Sequence, residues 1–122
     1  MHPALLSRVS ALGRLGLGAG LVARPGLLTS VWVGPDAERG SSQVLARALG
    51  IRDLVIAAGT LGSTGDEQQR WLTAALIADA TDLAVTLGAG AALPLRGRVL
   101  VSLAAGGGVA MGVAALIGLR RT

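Results

Sequence analysis

The sequence predicts an all-α fold, a bundle of four helices embedded in a membrane. Three observations predict it: four apolar stretches of spanning length, a shortage of charge, and glycines concentrated inside the apolar stretches. Each stretch is about 20 residues, the length that carries an α-helix across a hydrocarbon core ~30 Å thick. Only 15% of the 122 residues are charged, against about 25% in soluble proteins. A soluble domain this small would need a polar skin over much of its surface. The chain has 19 glycines. In a water-soluble helix interior each costs about 1 kcal/mol relative to alanine, whereas in a membrane bundle small residues let backbones approach closely.

The first stretch runs from about Ala4 to Val22 and stops before Arg24-Pro25-Gly26. The second runs from Ser42 to Gly62, with Ser41-Ser42 placed to cap its start. The third runs from Trp71 to Ala91 and is stopped by Pro94. The fourth, Val99 to Leu119, contains no charge and is closed by Arg120-Arg121. Trp71 and that arginine pair sit where interface anchors are expected. Residues Gly26 to Gly34 are apolar but too few to span, so they read as an interfacial turn. The chain therefore reads as one transmembrane domain over 1–122, in a bacterial plasma membrane. Four arginines fall on each side of such a topology, so the positive-inside rule gives no orientation.

Other readings are weaker. Met1 to Ala23 has arginine and serine and no acid, as targeting peptides do, but Arg14 breaks any continuous apolar region. Gly16-Leu17-Gly18-Ala19-Gly20 resembles a dinucleotide-binding loop, yet Leu21 stands where its third glycine is needed; Gly88-Ala89-Gly90 fails likewise at Leu93. All 11 basic residues are arginine and lie scattered, which argues against nucleic acid as a partner. With no cysteine and a single histidine, His2, there is no thiolate chemistry and no expected metal or resident cofactor. His2 sits near the N-terminus with nothing to orient it, and no role is expected of it.

The informative residues are charges inside the spans. Arg14 lies near the centre of the first, Arg52 and Asp53 of the second, and Asp79 and Asp82 of the third. Arg47 lies roughly 7 Å off centre at the helical rise. A charge at mid-bilayer costs about 2.5–3.5 kcal/mol even on lenient scales. Three arginines and three aspartates at similar depth can cancel, so convergence is expected, with Arg14 and Arg52 as the leading partners of the third helix. Helical spacing gives each of three helices a polar stripe: Ser7, Ser10, Arg14 and Gly18; Leu49, Asp53, Ala57 and Thr60; Asp79, Asp82 and Thr86. Leu76, Leu83 and Leu87 mark a lipid-facing side of the third. Ala105, Gly108, Gly112 and Ala115 form a small-residue face on the fourth; Gly108 with Gly112, and Gly16 with Gly20, fit a small-xxx-small packing pattern.

The stretch Leu45-Ala46-Arg47-Ala48-Leu49-Gly50-Ile51-Arg52-Asp53, followed by Gly59, Gly62, Trp71-Leu72, Asp79 and Asp82, resembles a group of small membrane proteins common in actinobacteria, broadly DoxX-like. The resemblance covers roughly residues 8 to 118. It implies a four-helix membrane fold and no particular reaction.

Intramembrane ionisable groups are functional candidates by default. Asp79 and Asp82, with Asp53 as partner, are the candidate acid–base groups, since neighbouring carboxylates can share a proton. Arg14, Arg47 and Arg52 are the candidate holders of an anionic headgroup. These residues point to a small polar or lipid-like ligand, with proton-transfer chemistry on it. The alternatives are a non-catalytic accessory subunit of a larger membrane complex and a minimal transporter acting as an oligomer. Expected partners are membrane lipids and either a second copy of the chain or a larger complex.

Overall fold

A computed structural model describes residues 2–122, so Met1, the start of the stretch weighed as a targeting peptide, lies outside the described residues. Five α-helices account for most of the chain: α1 Pro3–Ala23, α2 Pro25–Val33, α3 Gly40–Gly62, α4 Gly65–Ala89 and α5 Leu95–Arg120. Short 3-10 turns, Gly34–Glu38 and Gly90–Ala92, complete the links, and no strand occurs among the described residues.

The helix ends follow local chemistry. Pro3 and Pro25 open α1 and α2 at the first helical position, where the missing N–H is no loss. Pro25 also forces the end of α1, because Arg24 before it leaves the helical region at φ −136°, ψ 70°. Gly34 and Gly90 end α2 and α4 at φ 68° and φ 51°, which side chains adopt at a cost. His2 caps α1, its Nδ1 accepting from the Ala4 N–H at 3.4 Å, a role its isolation in the sequence concealed. Ser41 and Ser42 do not cap α3, which begins at Gly40 with no side-chain cap.

Two expectations change. Gly26 to Val33 belong to a helix of nine residues, α2, Pro25–Val33, where the sequence reads as a turn over Gly26 to Gly34. Pro25 nucleates it, and its apolar residues find partners on α1, α3 and α5. Secondly, three helices, α1, α4 and α5, are long and apolar enough to cross a membrane, against the four expected. The exception is α3, which carries Arg47, Arg52 and Asp53 within one helix.

The long helices pack in the ring order α1, α3, α4, α5, with α1 on α3 and α4 on α5 the most extensive pairs. Buried positions on α1 are Ser7, Ala11, Arg14, Gly18 and Leu21, a regular stripe of alternating four- and three-residue steps. Gly18 meets Gly50 of α3 where these helices come nearest. A Cβ on either glycine would stand 2.7 Å from the other's carbonyl oxygen. Gly16, offered by sequence as a packing glycine, faces open space, and Gly20 lies against Leu28 of α2. The small-residue face of α5 does turn inward, with Ala105, Gly112 and Ala115 buried. Leu76, read as lipid-facing, instead packs at Gly112, while Leu87 is exposed.

The interior is made of small and polar residues and the exterior of large apolar ones. Among the described residues, the buried leucines, isoleucines and valines are Leu21, Ile56 and Leu72, whereas twenty are exposed. Soluble monomers do not expose apolar surface on that scale.

Candidate functional site

The charged stripes of α1, α3 and α4 meet. Arg14 of α1 donates from Nη1 to Asp53 Oδ1 at 2.8 Å and from Nη2 to Asp79 Oδ2 at 2.7 Å. A third, longer bond runs from Nη2 to the Ala75 carbonyl at 3.4 Å. Little of α1 touches α4 directly, since the two are diagonal in the ring. The long guanidinium arm bridges that gap, a task its planar fork suits. The Gly18–Gly50 approach lies one turn further along α1, and it sets α1 close enough for Arg14 to reach Asp53.

Asp53 Oδ1 also accepts from its neighbour Arg52, from Nη2 at 3.2 Å and Nε at 3.4 Å. Arg52 then grips Asp82 with both nitrogens, Nη1 to Oδ1 at 3.0 Å and Nη2 to Oδ2 at 2.8 Å. The five side chains form one continuous chain, Asp79–Arg14–Asp53–Arg52–Asp82, with alternating sign. Arg14 and Asp53 are its buried middle, at 8% and 4% side-chain exposure, while Arg52 at 30% is the most accessible member.

The third cation of the expected balanced set is elsewhere. Arg47 is exposed and donates from Nε to the Val22 carbonyl at 3.3 Å. Val22 lies in the last turn of α1, where free carbonyls attract a cation. Arg47 is five residues from Arg52, so it points to a different side of α3. Its distance from the centre, legible in the sequence, is the signal that separates it from the rest.

The charge chain borders a cavity of about 680 Å³. All five of its members line the cavity, and the remaining wall is mostly apolar, with Leu17, Leu28, Trp32, Val101 and Met111 among its side chains. The cavity lies between α1 and α5. Pro3 meets Gly118 at one end of these helices, and α2 enters beside α5 at the other, where the Val31 and Trp32 carbonyls approach Gly97. In between, Gly13 and Gly107 leave the space open, with no atom within 4 Å of where a Cβ would stand. Gly108 gives room to the Asp79 carboxylate, which a Cβ there would overlap.

The oxygens differ in what they have left to offer. Asp82 commits both oxygens to Arg52, and Asp53 concentrates three donors on Oδ1. Asp53 Oδ2 and Asp79 Oδ1 are both without a hydrogen bond among the described residues, but Asp53 is held by two arginines and Asp79 by one. No cluster of side chains suited to a metal ion occurs among the described residues. Sequence reasoning did not single out Gly13, Gly107 or the walls from α2, because a cavity is a property of packed helices and leaves no mark in one helix's periodicity.

Comparison of the chain with protein-family models, curated proteins and solved structures gave no match.

Proposed function

We propose that this is an integral membrane protein whose four long helices cross the bilayer and whose cavity binds a small amphipathic molecule, its polar end on the charge chain and its apolar body along α1, α2 and α5. The observation that carries this reading is the cavity itself: an apolar space of ligand size lined by five ionisable side chains. Binding sites for small molecules have that composition, mostly apolar with a few convergent polar groups. The membrane part rests on the inverted interior and on the three apolar helices. In this reading α3 crosses as well, because its charges turn inward and are neutralised by α1 and α4.

Within the site Asp79 is the acid–base candidate, since its free Oδ1 lies beside the cavity. Asp53 and Asp82 hold the two arginines in place. In the stretch Leu45 to Asp53, Gly50 meets α1, and Arg52 and Asp53 enter the charge chain.

The test is extraction and mass spectrometry of amphiphiles bound to the protein purified in nanodiscs, compared with Gly107→Leu. That substitution builds into open space, with no atom within 4 Å of the added Cβ. The reading expects a bound small molecule that is lost in Gly107→Leu while thermal stability is kept. Identical extracts from both proteins would contradict it.

A further inference from the structure

The charge count of the cavity wall is uneven. Arg14 and Arg52 supply two positive charges, and Asp53, Asp79 and Asp82 supply three negative ones when all three carboxyls are ionised. Arginine stays protonated in proteins, so the positive side of this count is fixed. Arg47, which would have balanced the set, is held at Val22 on the outside of α3. The other cavity walls add no cation: no charged residue of α2 or α5 lines it. One negative charge is left over in a mostly apolar space.

We propose that the cavity selects a cationic amphiphile, a protonated amine on an apolar body, rather than an anionic one; this rests on the amphiphile-binding reading above. The excess charge has a defined place. Each arginine lies between two carboxylates, so the ends of the chain, Asp79 and Asp82, are half-compensated. Asp82 is gripped on both oxygens, which leaves Asp79 Oδ1 as the acceptor for an ammonium N–H. A cation there would extend the alternation by one step and bring the wall to neutrality. An anion would add a second unbalanced charge, which apolar surroundings penalise. Both arginines are already paired with carboxylates, which weakens the anion-holding role their residue type alone would assign them.

The experiment uses the full chain in nanodiscs with three probes of one tail: 12-bromododecylammonium, 12-bromododecanol and 12-bromododecanoate. Bromine quenches tryptophan, and Trp32 lines the cavity. Trp71→Phe removes the only other tryptophan, and Gly107→Leu in that background measures quenching from the bilayer alone. The expected result is cavity quenching by the ammonium probe at a concentration at least tenfold below that for the alcohol, with the carboxylate weakest. Asp79→Asn balances the wall and should bring the ammonium and alcohol probes to within about twofold. Asp82→Asn removes the same charge from the other end and replaces it if Asp79→Asn does not fold; if neither folds, the native ranking alone decides. Equal binding of alcohol and ammonium by the native chain overturns the proposal, the extra charge then being cancelled by a proton. Tightest binding of the carboxylate overturns it as well. Absence of quenching above the Gly107→Leu level for every probe overturns the amphiphile reading itself.

Discussion

Arg14 holds Asp53 and Asp79 at the same time, one on each terminal nitrogen, at 2.8 and 2.7 Å. It thereby ties three helices through a single side chain. Removing it would leave Asp79 without a counter-ion and Asp53 with Arg52 alone, and breaking a buried pair in this way costs about 3–5 kcal/mol. Arg14→Met should lower the stability of the protein by that amount in denaturant unfolding in detergent. Adding Asp79→Leu to Arg14→Met should recover part of the loss, because the double variant leaves fewer unpaired charges.

Arg14, Arg52 and Arg47 should rank by burial. Arg52→Ala frees Asp82 at a more accessible position than Arg14→Met frees its partners, so its cost falls between the other two. Arg47→Ala removes one hydrogen bond at an exposed site and should change stability by about 0.5 kcal/mol or less. Unfolding curves of the three variants side by side check the order.

The meeting of α1 and α3 depends on Gly18 and Gly50. Alanine at either position would force the backbones apart, an overpacking cost of about 1–3 kcal/mol. Gly16→Ala, two residues away with open space around it, should be neutral or slightly stabilising. Melting temperatures in detergent distinguish the two outcomes. Equal behaviour of Gly16 and Gly18 would mean that the helices meet on another face.

Gly108 and Gly112 separate packing from site geometry. Gly108→Ala presses on the Asp79 carboxylate and should loosen its bond to Arg14. Gly112→Ala meets Leu76 at 3.5 Å, an ordinary contact, and should be tolerated. Amphiphile binding should fall at least severalfold in Gly108→Ala and stay near the native level in Gly112→Ala.

Much of the fold was legible because long apolar helices announce themselves by length, and because charges set inside apolar stretches have few ways to be neutralised. The positions of Arg14, Arg52, Asp53, Asp79 and Asp82 along their helices were enough to predict their meeting. What escaped was set by packing between helices. Helix α2 was too short to register as a span, and its helical form comes from Pro25 and from neighbours remote in sequence. The Gly18–Gly50 contact was hidden among glycines of equal spacing, since periodicity does not say which face meets which helix. Arg47 was grouped with the other arginines by type, whereas its place five residues before Arg52 carries it to the end of α1.

The central claim is that the exposed apolar belt faces lipid. The chain has no cysteine, so single cysteines can be introduced without background. Leu12, Ile77 and Leu103 are more than half exposed on α1, α4 and α5, and Asp66 is exposed at the first turn of α4. Each is replaced by cysteine in turn and treated in native membranes, opened so that both faces are reached, with a water-soluble, membrane-impermeant thiol reagent. The account predicts labelling at position 66 and protection at 12, 77 and 103 that is lost on denaturation. Labelling of those three positions as fast as position 66 would contradict it.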